Sequence, residues 1–208
     1  MESINQVDEA KLLGYFETTK SVFLLKFILL VSFTKEQNGT RSLDVAKLPA
    51  DAIAFAQNVF DFPLFYKALV KDNEELCANF HEDMVTTALT SSWLVFEQLI
   101  KDLNKQDYAT SAENASMTYQ SGKFQFDARK KKDLDLFYYI RNAIQHYNGA
   151  YHVHKDIDHR FAGTDFKSIG HHGEKIEVNI QMAWQIVCTL EQYAMEAWKN
   201  AKTFTQKP

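Results

Sequence analysis

The sequence predicts an all-α protein, a bundle of four main helices with a small β-containing insertion after the helix that carries its most distinctive motif. Three observations predict it. Apolar residues recur at helical spacing over long segments. Glycine and proline are scarce, 7 and 3 among 208 residues, too few for the turns of a loop-rich all-β fold. A hydrophobic content of 46% with 16 Phe supplies a large buried core. The length fits a single domain spanning residues 1–208.

The first helix is expected from about Asp8 to Thr34, ending before the turn-prone Gln37-Asn38-Gly39. Its apolar run Val22 to Phe33 contains Lys26 and reads as a helix buried on most of its circumference. A second helical stretch covers Asp51 to Lys71, broken or kinked at Asp61-Phe62-Pro63 because proline lacks the backbone donor. The third helix, Asn73 to Asn104, places Leu76, Phe80, Met84, Val85, Leu89, Leu94, Phe96, Leu99, Ile100 and Leu103 close to one stripe. Lys105 to Asp127 is polar and aperiodic and reads as a mobile loop. A helix from about Lys130 to Tyr147 follows. Tyr151 to Val178 holds short β-like pieces at Tyr151-His152-Val153, Arg160-Phe161 and Lys175-Ile176-Glu177-Val178, separated by glycines and compatible with one small hairpin. Strand is expected nowhere else. The last helix, Ile180 to Lys202, packs Ile186, Val187, Leu190, Tyr193, Ala194 and Ala197 inward.

Composition narrows the function. A net charge of −4 does not favour bulk electrostatic capture of nucleic acid, so any RNA contact has to be local. Cys77 and Cys188 sit in apolar helical segments, read as reduced buried thiols, and form no metal or redox pattern. Met1-Glu2-Ser3 puts an acid where a secretory leader needs basic residues, and the apolar run is shorter than the ~20 residues of a membrane span, so a cytoplasmic chain is expected. There is no Gly-rich phosphate loop, no Gly-x-Ser-x-Gly elbow and no HExxH, and nothing points to a cofactor.

The most informative segment is Tyr139-Ile140-Arg141-Asn142-Ala143-Ile144-Gln145-His146-Tyr147-Asn148-Gly149. It puts an arginine, an amide and a histidine within six residues on the last turns of a helix, with Asn148-Gly149 as the stop. Asn142 and His146 lie roughly 40° apart on one helix face, and the long Arg141 side chain reaches that face from its flank. A guanidinium binds phosphate through paired hydrogen bonds, and an imidazole moves protons near neutral pH. Together these groups suit cleavage of an RNA phosphodiester without a metal. The bland alternative is an arginine in a surface ion pair and a histidine capping helix carbonyls.

Arg141, Asn142 and His146 resemble the Rx4H signature of HEPN domains, the higher eukaryote and prokaryote nucleotide-binding family. Tyr147 stands where many members have asparagine, with Asn148 one place later. The resemblance implies a helical bundle and a homodimer in which two motif helices meet across a twofold axis. It implies a metal-independent endoribonuclease, with RNA as substrate, in a toxin–antitoxin or defence setting where an antitoxin or nucleotidyltransferase partner restrains it. Arg141 would bind the scissile phosphate, Asn142 would orient His146 or contact the phosphate, and His146 would move protons. The general-acid role suits His146 best, because a helix C-terminus favours a cation. Glu97, beside Ser91 and Ser92, would orient Arg141 or the histidine from the neighbouring helix, or else pair with Lys101 at i,i+4.

Around the motif, Lys130, Lys131 and Lys132 follow Arg129 and would contact RNA phosphates, or else form a solvated junction balanced by Asp133 and Asp135. Tyr147 would stack on an unpaired base, or else serve core or interface packing. His152, His154, His159, His171 and His172 are dense enough to raise a Zn²⁺ site, but without an accompanying acid or cysteine pattern they read as surface residues and no metal is assigned. The rival reading, from a different class, is a non-catalytic module of the same fold that binds a protein or a nucleotide.

Overall fold

A computed structural model describes residues 9–37, 40–51, 53, 73–105, 119 and 124–205. These are mostly helical. Four long helices are described, α1 (Glu9–Phe33), α2 (Asn73–Lys105), α3 (Ala128–His146) and α4 (Ile180–Thr205). Two antiparallel hairpins accompany them, β1 (Thr34–Gln37) with β2 (Thr40–Leu43), and β3 (Asp158–Phe161) with β4 (Thr164–Lys167). The stretch expected as a broken helix at Asp61-Phe62-Pro63 lies outside the described residues. The chain divides into two compact units, Ser21–Thr86 and a larger one made of Met1–Lys20 with Thr87–Pro208.

The larger unit is built on helix stripes. Phe96, Ile100 and Leu103 on α2, Leu134, Phe137, Ile140 and Ala143 on α3, and Ala183, Ile186, Val187 and Leu190 on α4 are all buried. Leu89 and Trp93, Phe137 and Ile140, and Ile186 and Leu190 converge on one interior spot, which is where α2, α3 and α4 meet. Ala194 and Ala197 are buried as well, as the spacing predicts, and their small side chains let backbones approach. Leu94 departs from its expected stripe. It lies 62% exposed, about 200° around the helix from both Ser92 and Phe96, which are fully buried. Leu12 and Phe16 of α1 belong to this core, and Lys20 bonds both oxygens of Glu191 on α4 at 2.9 Å.

The segment expected as a polar, mobile loop before α3 is anchored where it is described. Tyr119, Phe124 and Phe126 are buried, Phe126 packs on Tyr193 with ring centroids 5.8 Å apart, and Asn200 donates to the Phe124 carbonyl at 2.8 Å. Three aromatics thus outweigh the polar composition around them.

The smaller unit corrects two further expectations. Strand is not confined to the region after α3, because β1 and β2 pair Thr34 with Leu43 through Gln37 with Thr40. The Asn38-Gly39 dipeptide, read as a helix stop, is equally the strongest two-residue hairpin signal, and here helix runs directly into strand. The other correction concerns Val22 to Phe33. Phe23 and Leu30 are buried, whereas Val22, Leu24, Leu25, Phe27, Ile28, Leu29 and Val31 are exposed. Phe23 and Leu30 form a narrow buried stripe with half-buried Lys26, which bonds Asp83 at 2.7 Å. Among the described residues no helix is long and apolar enough to cross a membrane.

Candidate functional site

Helix α3 carries the motif. It begins because Asp127, in extended conformation, accepts from the Lys130 amide at 2.8 Å, a cap that depresses the Asp127 carboxyl pKa chiefly through this hydrogen bond. The cap offsets the unfavourable row of cations in the first turn. The helix ends because Tyr147 and Gly149 both donate to the Ala143 carbonyl at 2.9 Å. Asn148 at φ 52° and Gly149 at φ 73° are both left-handed. Asparagine and glycine are the residues that take this conformation at least cost, so the dipeptide explains the stop.

The apolar stripe of α3 faces the core and turns the motif outward. Tyr139, Ile140 and Ala143 are buried, Arg141 and Asn142 are half-buried, and Gln145 and His146 are exposed. Arg141 Nη1 donates to Asn142 Oδ1 at 2.8 Å. Arg141 has no ion pair and His146 no hydrogen bond among the described residues; the His146 ring meets only the edge of Tyr147, at 6.3 Å. The arginine therefore does not form the surface ion pair of the bland alternative, and the helix end is closed by backbone amides, not by the histidine.

Behind Tyr147 lies a stack of rings. His152 is sandwiched between Tyr139, at 4.1 Å and 18°, and Tyr147, at 4.4 Å and 26°. The Tyr139 hydroxyl donates to the His152 carbonyl at 2.9 Å and accepts from its amide at 2.7 Å. Burial holds the His152 imidazole below its ordinary pKa, with His154 and His172 adding to the effect, and its Nε2 has no partner. His152 is only 8% exposed, so it is not one of the surface histidines expected of this segment. It fixes the ring of Tyr147, the residue expected to stack on a base.

Other expected site residues are engaged elsewhere. Glu97 accepts from Trp93 Nε1 at 3.1 Å and pairs with Lys101 at 2.7 Å, the i,i+4 alternative, and among the described residues it bonds neither Arg141 nor His146. Lys130 reaches across to Glu196 on α4 and lies 6.0 Å from the Tyr193 ring centroid, which removes it from an outward phosphate-binding row. Lys131 is half-buried, Lys132 is exposed, and neither has an ion pair among the described residues.

Asp133, expected merely to balance charge, is buried at the centre of a network. Its Oδ1 bonds His159 Nε2 at 2.6 Å, and its Oδ2 accepts from the Tyr193 hydroxyl at 2.6 Å. Burial, then Asp133, pushes the Tyr193 phenol well above its ordinary range, so it remains a donor. No local spacing announces this network, whose members lie 26 and 60 positions apart. Asp135 serves Tyr119 and Lys155. His154 stands beside His152 with ring centroids 5.7 Å apart, His171 pairs with Glu174 at 2.8 Å, and among the described residues no three His, Cys, Asp or Glu side chains converge as metal ligands. Both cysteines are free thiols, Cys77 buried and Cys188 half-buried, and burial raises the pKa of each.

No protein family, curated protein or solved structure matches this chain.

Proposed function

We propose that this chain is a metal-independent endoribonuclease of the HEPN type, working as a homodimer whose two α3 helices form one composite cleft. The observation that carries the reading is Arg141. A half-buried guanidinium held by a neutral amide, with no carboxylate partner among the described residues, keeps its charge for an anionic ligand. His146, five residues further along α3, is exposed, where an imidazole can reach a substrate.

In the proposed reaction the substrate's own 2′-oxygen attacks phosphorus while the 5′-oxygen leaves. Arg141 binds the non-bridging oxygens and stabilises the charge that develops on them. His146 protonates the leaving oxygen, and the same histidine of the second copy takes the 2′-hydroxyl proton. The products carry a 2′,3′-cyclic phosphate and a 5′-hydroxyl. Asn142 positions the guanidinium, and Tyr147, backed by the His152 stack, offers its ring to an unpaired base. One motif helix holds too few groups for all these tasks, which is why the mechanism calls for two copies. The test is cleavage of unpaired RNA in EDTA by the native chain and its loss in Arg141→Ala and His146→Ala.

One observation favours the rival, a binding module without catalysis. Seven large apolar side chains between Val22 and Val31 are exposed on α1, more than a free surface ordinarily leaves uncovered. Partner binding without cleavage in EDTA would select this reading.

A further inference from the structure

A second basic site lies at the other end of α3. Arg129 and Lys132 of the first turns, His159 and Arg160 of β3, and the small Ala162 and Gly163 of the hairpin turn line an open cleft of about 550 Å³. That is the size of a small-molecule site, in the range of roughly 300–1,000 Å³. No acid lines it. Along the helix axis it stands roughly 20–25 Å from His146, too far to share a pocket with the motif of the same copy.

We propose that this cleft binds the phosphate group of a small phosphorylated molecule. Among the described residues the cations have no close carboxylate partner. Arg129 and Lys132 form no ion pair among the described residues, and Arg160 makes only a long, exposed pair with Asp165 at 3.7 Å and a bond to the Gly163 carbonyl at 3.4 Å. An exposed pair of that kind exchanges readily for a phosphate that takes the guanidinium fork. Helix dipole is not the attraction, because Asp127 already caps the first turn.

His159 gives the cleft its built character. The buried Asp133 carboxylate, itself held by Tyr193, takes Nε2 at 2.6 Å and fixes the ring at the cleft wall. With Nε2 taken by Asp133, Nδ1 bonds a phosphate only as an N–H, that is, from the doubly protonated ring. Such a buried carboxylate behind a histidine holds the ring in one orientation. The turn supplies the room: Ala162 at φ 52° and Gly163 at φ 84° bring only a methyl group and a hydrogen to the cleft.

The test is calorimetric titration of the full chain with inorganic phosphate and with phenyl phosphate, beside a 5′-hydroxyl single-stranded RNA that carries no terminal phosphate. Saturable binding of phenyl phosphate is expected. The double variant Arg129→Gln with Arg160→Gln should weaken it about tenfold or more, as loss of charge-assisted hydrogen bonds does. These two residues are exposed, so the variant should melt like the native chain. His159→Gln should weaken it as well, which ties the binding to this cleft whether or not the chain cleaves RNA. Absence of saturable binding by both phosphate probes would overturn the proposal. So would RNA binding that the double variant abolishes while phenyl phosphate fails to bind.

Discussion

Arg141 Nη1 rests on Asn142 Oδ1 at 2.8 Å, one residue along the same helix, where an arginine of this burial ordinarily meets a carboxylate. The pairing orients the guanidinium without neutralising it. Asn142→Asp supplies the missing countercharge and should lower RNA cleavage about 10²-fold, the scale on which a positioned transition-state donor contributes. Its melting temperature should not fall. Single-turnover cleavage beside thermal denaturation checks both halves, and an active Asn142→Asp enzyme would show that the free charge of Arg141 is not what the site uses.

Tyr193→Phe should destabilise the larger unit by about 1–3 kcal/mol, because the buried Asp133 carboxylate loses a donor while the ring packing on Phe126 survives. Denaturant unfolding measures it. A neutral result would mean that water reaches Asp133.

His152 makes a pH prediction. Its folded-state pKa lies below the ordinary 6.5, so above 6.5 both states are neutral and its contribution is fully present. As pH falls below 6.5 the unfolded chain binds a proton that the folded one refuses, and stability drops by at most about 1.4 kcal/mol per pH unit until the folded pKa is passed. His152→Phe keeps a ring between Tyr139 and Tyr147 and should flatten stability against pH in this window. An unchanged slope would assign the acid sensitivity to other groups.

The β3–β4 turn is strained at one residue. Ala162 sits at φ 52° in a two-residue connection that favours Asn-Gly, so Ala162→Asn should stabilise the chain by about 0.5–1 kcal/mol. Thermal melting checks the direction, and a loss of stability would contradict the assigned turn.

What was legible in the sequence was what local chemistry dictates. Asn148-Gly149 marks the end of α3, and the inward residues of α4 follow their period, because stops and stripes act over a few residues, whereas the Asp127 cap reads as loop. The outward placement of Arg141, Asn142 and His146 follows from the same stripe. Thr34 to Leu43 was misread because Asn38-Gly39 serves a helix end and a hairpin alike, and only pairing to a preceding strand decides between them. The apolar run of α1 could not reveal its exposure, since hydrophobicity states a preference and not the supply of partners. Glu97 and Lys130 each had two possible partners, and the contacts with Lys101 and Glu196 depend on helix register and on tertiary packing respectively. The Asp133–His159–Tyr193 network was invisible for the same tertiary reason.

The most direct measurement is incubation of the purified chain with unpaired RNA in EDTA, with the product ends identified by mass. Cleavage to 2′,3′-cyclic phosphate and 5′-hydroxyl ends is expected, slowed roughly 10²-fold or more in Arg141→Ala and in His146→Ala while both variants stay folded and dimeric. RNA left intact in EDTA, or cleavage equally fast in both variants, would contradict it.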